Sequence, residues 1–301
     1  MGLTMPAGGP KLLIIAAHPD DAEYHAGGLA TIYREHERPV KMLSVTDGAA
    51  GHFERNASDL ITLRRFESSN AGKVIGAEYE TLHFPDGQLQ ASLEVRHRII
   101  REIRMFRPDL VLTHRTCDYH PDHRAVGQAI QDASYLVTVP RILPELPALT
   151  QPPVYAYMPD LFTRPVRHRA DVVLDIADYV DVIVKMLACQ HSQVFEWLPY
   201  EEGTLETVPD DDQERLVWLR DWYTRKIRPR ADHFRSELVE AFGKENGNTI
   251  EFIEAYEICE YGVQPDALRR RELFPFLEKS LSRDSQQPKK REQVSIQPNV
   301  V

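Results

Sequence analysis

Apolar residues fall in short runs separated by amphipathic stretches, and the two alternate regularly through the first half of the chain. Residues 12–17 form an unbroken apolar run, the pattern of a strand buried on both faces. Residues 26–36 follow with helical spacing, and residues 40–46 read as a second strand ended by Asp47-Gly48. Residues 59–75 suit a helix with Gly76 just past its end. Residues 80–84 make a short strand before the turn signal Pro85-Asp86-Gly87. Residues 92–106 place Leu93, Val95, Ile99, Ile100, Ile103 and Phe106 mainly on one helical side, with Ser92 as N-cap and Pro108 beyond the end. Residues 109–113 are the next strand, leading into His114, and residues 122–137 again read as helix.

The second half is less regular. Residues 138–170 are rich in proline and carry one strand, 154–158. Residues 171–176 read as a strand, 177–190 as a helix, 209–242 as helix-rich and charged, and 250–257 as a closing strand. Residues 282–301 are polar and rich in Pro and Gln, the composition of a disordered tail or an arm onto a neighbouring subunit. Strands alternating with helices of this length predict an α/β fold: a Rossmann-like, doubly wound, mostly parallel sheet with helices on both faces. The expectation is a single α/β domain over residues 1–281, with 138–170 and 197–250 as irregular or helical insertions. In such folds the site lies beyond the carboxyl ends of the strands, where the strand order reverses.

Composition narrows the function. The chain carries a formal charge of −10, which disfavours a general nucleic-acid or anionic-membrane binder. Cys117, Cys189 and Cys259 are widely spaced and form no CxxC pair, which suits a reducing cytoplasm. No segment approaches the ~20 apolar residues of a membrane span, and the N-terminus lacks a signal-peptide pattern. The expectation is a cytoplasmic enzyme.

Two polar clusters interrupt this scaffold at its strand ends. The first is His18-Pro19-Asp20-Asp21, directly after the first strand. Adjacent carboxylates repel, so a proton, an arginine or a metal ion must sit beside them. The second is His120-Pro121-Asp122-His123. One HPD alone is also an ordinary helix start, because Asp caps well; two copies, each at a strand-to-helix junction, point to a shared site. Zinc takes His nitrogen and Asp oxygen, with three protein ligands and a water in catalytic sites. Two imidazoles and one carboxylate can be drawn from the motifs as His18, Asp21 and His123, although spacing alone does not single out that set. The remaining groups, Asp20, His120 and Asp122, suit general base, acid and orienting roles.

AHPDDAE with the later HPDH resembles the LmbE-like, or PIG-L, family of zinc-dependent N-acetylglucosaminyl deacetylases. Arg64-Arg65-Phe66-Glu67, Phe84-Pro85-Asp86-Gly87, residues 118–133 and His191-Ser192-Gln193 extend the resemblance. It implies one zinc ion per chain on His18, Asp21 and His123, with another divalent transition metal as the alternative. It further implies Asp20 as general base, His120 as acid or stabiliser of the tetrahedral intermediate, and Asp122 as the residue holding His120. Arg64 and Asp86 fall where the family contacts substrate, although an Arg beside Glu67 is also an ordinary ion pair and Pro-Asp-Gly an ordinary turn. Tyr24 and His25 depart from the small or aliphatic residues frequent there, and His25, His52 and His114 have no assigned role.

The resulting expectation is hydrolysis of an N-acyl amide, acetyl first, on a glucosamine-type sugar conjugate, releasing acetate and free amine. The alternatives are an amidase acting on a larger thiol- or sugar-conjugate amide and a noncatalytic, metal-bound sugar-binding protein on the same scaffold. A two-metal phosphoesterase fits less well, since such sites need more ligands. The expected partner is a small sugar amide, with neither nucleic acid nor membrane. Members of the family are often homo-oligomers, a role open to the C-terminal arm.

Overall fold

The computed structural model describes residues 9–275; the expectation for residues 282–301 lies outside them. Every side chain of β1 (Leu12–Ala16) is buried because both faces of the strand are covered. Leu12, Ile14 and Ala16 join one core, and Leu13 and Ile15 the other. From there α1 (Asp21–Glu35), β2 (Val40–Thr46), α2 (Ala57–Ile75), β3 (Glu78–Phe84), α3 (Leu93–Phe106), β4 (Leu110–Thr113) and α4 (Pro121–Ser134) alternate as the pattern predicts. The second half adds β5 (Val154–Tyr157), β6 (Val172–Asp175), α5 (Val180–Cys189), a π-helical segment Ser192–Trp197, α6 (Leu198–Glu201), α7 (Asp212–His233), α8 (Arg235–Gly247), β7 (Ile253–Ile258) and α9 (Ala267–Leu273).

The strands form one sheet in the order β3-β2-β1-β4-β5-β7-β6. β1 to β5 pair in parallel with one another, and β7 runs antiparallel between β5 and β6. α3 and α4 pack on one face, while α1, α5 and α7 contribute to the core on the other. Strand order reverses between β1 and β4, so the segments leaving their carboxyl ends meet at one crevice. These are the segments that carry the two HPD motifs.

α1 starts at Asp21, five residues before the periodicity places it, and is broken at Ala26 (φ −142°, ψ 18°). The break frees backbone donors in the middle of the helix, and Glu254 of β7 takes them. Its carboxylate accepts from Gly28 N–H (2.7 Å) and Leu29 N–H (2.9 Å), and the Tyr256 hydroxyl donates to it (2.6 Å). A Cβ at residue 28 would lie 2.5 Å from Ile176 Cγ2 and 3.0 Å from Glu254 Oε1, so close approach requires Gly28. β3 also starts earlier than expected, which brings Tyr79 into the strand.

Candidate metal centre and active site

β1 ends in a tight turn, His18-Pro19-Asp20, that leads directly into α1. Asp21 closes the turn by accepting the His18 backbone N–H on Oδ2 (2.8 Å). The same oxygen lies 3.3 Å from His18 Nδ1 and 3.5 Å from His123 Nε2, and those two nitrogens are 3.2 Å apart. Four ligands at about 2.0–2.1 Å around a tetrahedral ion lie roughly 3.3–3.4 Å from one another. The triangle His18 Nδ1, Asp21 Oδ2 and His123 Nε2 therefore has the dimensions of one face of such a shell.

Each imidazole is oriented from its far side. His18 Nε2 lies 3.2 Å from Asp86 Oδ1 and 3.4 Å from Asp122 Oδ2, leaving Nδ1 for the triangle. His123 Nδ1 lies 3.1 Å from Asp118 Oδ1, leaving Nε2. A carboxylate behind a ligating His fixes its tautomer and raises its basicity. Burial favours the neutral rings, yet the carboxylates outweigh it. Hydrogen bonds to Asp122, Asp21 and Asp86 hold His18 well above its ordinary value. Asp21 and Asp118 raise His123 to about 9. The site thus demands positive charge, and a divalent cation would take the place of these protons. The donor set fits a metal.

Neighbouring groupings overlap the triangle. His18, His120 and His123 form one, and Asp21, His114 and His123 another, each with ligand atoms within 4.8 Å. His114 is buried, its Nε2 accepts Ala17 N–H (3.2 Å) and lies 3.2 Å from Asp21 Oδ2, and its ring stacks on His123 at 3.9 Å. It packs between the strand end and both motifs.

The adjacent carboxylates differ sharply. Burial opposes ionisation of Asp21, but His123 and His114 hold it well below the usual carboxylate range. Burial pushes Asp20 up to about 8, against the pull of Arg64. Environments that push two acids apart mark one as the permanent anion and the other as the proton carrier. Asp20 has φ 112° and ψ −30°, which points its carboxyl away from Asp21's role in the triangle and into its own place beside Arg64 (Nη2 to Oδ2, 3.7 Å).

His120 is the N-cap of α4, and its Nδ1 accepts the Asp122 backbone N–H (3.2 Å). That leaves the proton on Nε2. Burial, followed by His18 and His123, lowers its proton affinity, so the ring is a neutral donor. Asp122 meets His120 through this backbone group. Its carboxylate instead accepts Gly87 N–H (2.7 Å) and Leu89 N–H (3.1 Å) and faces His18. Asp86 likewise faces His18 and accepts Ala50 N–H (3.1 Å). Arg64 is 1% exposed, and Nη2 donates to the Pro19 carbonyl. The structure thus places both expected substrate contacts, Arg64 and Asp86, against the His18-Pro19-Asp20 turn.

Sequence reasoning passed over Asp118 and Tyr79. Asp118 stands five residues before His123 in the second motif, a spacing that was available as a signal. Tyr79 Oη accepts Asp20 N–H (3.1 Å) from 59 residues away and had no signal. His25 lies outside the triangle, with Nδ1 3.3 Å from Arg230 Nη2; burial and then Arg230 push it down to about 3. His52 pairs with Glu196 (2.7 Å) in a cleft of about 520 Å³ lined also by Phe53, Arg55 and Leu205.

The profile of the PIG-L family, GlcNAc-PI de-N-acetylase, matches residues 13–134. The chain is 28% identical to the probable N-acetyl-alpha-D-glucosaminyl L-malate deacetylase 2 of Bacillus subtilis, over 72% of this chain and 95% of that one. It is 25% identical to the 4-oxalmesaconate hydratase of Pseudomonas putida, over 64% of this chain and 78% of that one. In structure it resembles the N,N'-diacetylchitobiose deacetylase of Pyrococcus horikoshii, with a TM-score of 0.63 and 20% identity, over 86% of this chain and 88% of that one.

Proposed function

This chain belongs to the PIG-L, or LmbE-like, family, and on that footing we propose that it is a zinc-dependent N-deacetylase of a glucosamine-type sugar conjugate. One observation carries the reading: a triangle of His18, Asp21 and His123 with 3.2–3.5 Å edges, next to a second carboxylate, Asp20, in a different protonation environment. A divalent cation on that triangle supplies a Lewis acid that polarises an amide carbonyl and lowers the pKa of water.

The chain's own groups do the rest. Asp20 takes a proton from the attacking water and returns it to the leaving nitrogen as the C–N bond breaks. His120 presents its Nε2 proton to the carbonyl oxygen as that oxygen gains charge. Asp118 and the pair Asp86 and Asp122 hold His123 and His18 in the tautomers that leave the triangle's nitrogens free. Water is added across the amide, and the products are a carboxylic acid and an amine.

The hydratase relative supports a second reading, in which the same Asp20 directs water onto the double bond of a small unsaturated polycarboxylate. The lining of this site favours the first. Asp20, Asp86, Asp118 and Asp122 surround the triangle, and Arg64 is already engaged by Pro19 and Asp20. That lining suits a neutral sugar amide better than a polyanion.

The test is amine release from a panel of N-acetylglucosamine derivatives by zinc-loaded wild type and Asp20→Asn, with 4-oxalmesaconate in parallel. Release by wild type alone is expected. Water addition to 4-oxalmesaconate with no amine release would replace the deacetylase reading with the hydratase one.

A further inference from the structure

The Pro19–Asp20 peptide is held at both ends by side chains from outside the turn. Its carbonyl accepts from Arg64 Nη2 of α2, and its N–H donates to Tyr79 Oη of β3 at 3.1 Å. Asp20 needs such restraint. A φ of 112° is outside the regions an L residue adopts readily, and conformations of this kind persist only where their surroundings over-determine them. If the peptide rotated toward a relaxed conformation, the Asp20 carboxylate would swing with it, because the Cα–Cβ direction follows φ.

Tyr79 is itself held by packing against the core cluster that includes α1. Gly72 of α2 leaves room for this strand. A Cβ there would lie 3.0 Å from Tyr79 Cβ and 2.7 Å from Ala77 O. The base is therefore tied to α2 through Arg64 and to β3 through the single Tyr79 hydroxyl.

We propose that Tyr79 is a positioning residue for catalysis: with Arg64 it clamps the Pro19–Asp20 peptide and so sets the direction of the Asp20 carboxylate. The proposal rests on the reading of Asp20 as the base. A tyrosine that only stabilised the fold would lower the melting temperature and leave turnover of the folded enzyme unchanged. A clamp lowers kcat and acts only while Asp20 is a carboxylate.

The experiment compares zinc-loaded wild type, Tyr79→Phe, Asp20→Asn and the double variant. Tyr79→Phe is expected to lower kcat about 10- to 100-fold, with KM and bound metal within about threefold of wild type. The double variant is expected to be no slower than Asp20→Asn, since the clamp has nothing left to aim. In the metal-free protein, hydrogen exchange of the Asp20 amide should be faster in Tyr79→Phe than in wild type. Wild-type kcat in Tyr79→Phe, beside an inactive Asp20→Asn, overturns the clamp alone. A double variant slower than Asp20→Asn by the full Tyr79→Phe factor also overturns it. Full turnover in Asp20→Asn overturns the base assignment, and the clamp's catalytic role with it.

Discussion

Removing Asp118 tests how the carboxylate behind His123 governs the metal centre. Asp118 Oδ1 does two things: it faces His123 Nδ1 at 3.1 Å and accepts the His120 backbone N–H at 2.8 Å. Asp118→Ala should therefore act twice. Without its partner, His123 is free to place a proton on either nitrogen and to rotate about its side chain, so fewer molecules present Nε2 correctly. Loss of such a partner typically weakens metal binding 10- to 100-fold, or about 1.4–2.7 kcal/mol. The lost contact to His120 N–H should cost the metal-free protein about 1 kcal/mol of stability, because that group is only partly shielded from water. Competition against a chelator of known affinity measures the first effect, and urea unfolding of the metal-free protein the second. The reasoning predicts a larger effect on metal affinity than on stability. Zinc affinity within threefold of wild type would show that Asp118 does not orient a ligand. It would also remove His123 Nε2 from the triangle or make its orientation independent of Nδ1.

His123→Ala should abolish stoichiometric zinc, read by metal analysis after dialysis; retained zinc would move the ligand set to another of the overlapping groups. Glu254→Ala leaves Gly28 N–H and Leu29 N–H buried without an acceptor, a loss of roughly 2–5 kcal/mol in urea unfolding; a change below about 1 kcal/mol would contradict it. Gly28→Ala drives a methyl against Ile176 and should destabilise by about 1–3 kcal/mol, so an unchanged melting temperature would refute the close approach. Burial works to raise Asp160, but His168, with Nδ1 3.8 Å away, and two hydrogen bonds from Arg115 (2.6 and 2.7 Å) hold it down to about 2. A depressed carboxyl stabilises the fold above its unfolded pKa, near 3.9, and that contribution disappears as pH falls to about 2. The stability gap between wild type and Asp160→Asn, about 2 kcal/mol at pH 6, should close across that window; a gap unchanged at pH 2 would refute the assignment.

The strands and most of the helices were legible because burial on both faces leaves long apolar runs; β1 shows nothing else, and β2 and β4 are interrupted only by Lys41, Ser44, Thr46 and Thr113. The start of α1 was not. Asp21, Glu23 and His25 break the apolar periodicity because they face the site and its supports rather than the core. The glycine pair reads as a helix breaker until Glu254 is seen filling the break. Tyr79 escaped for a related reason. Its strand lies at the sheet edge, where mixed polar residues blur the alternation, and its partner is 59 residues away. The π-helical segment Ser192–Trp197 has no period distinct enough to read; its place is set by Glu67, which accepts from Ser192 N–H (2.8 Å) and Oγ–H (2.6 Å). β7 was expected as a strand, but its antiparallel insertion between β5 and β6 is a matter of long-range pairing that no local pattern encodes.

The candidate site shows the same division between local and distant information. His18, Asp20 and Asp21 are neighbours in the chain, as are His120, Asp122 and His123, so the donor types could be read directly. Their roles could not, because a role depends on what stands behind each group. Asp20 and Asp21 have the same side chain one residue apart, yet one is held ionised by His123 and His114 and the other is driven toward its neutral form by burial. Asp122 and Asp86 look from sequence like partners of His120 and of a substrate, whereas both carboxylates stand against His18 Nε2. The consequence is a division of labour that motif spacing does not reveal. Asp86, Asp118 and Asp122 stand behind the imidazoles of His18 and His123, and on the proposed reading proton transfer falls to Asp20, whose peptide is held by Arg64 and Tyr79 from two other elements.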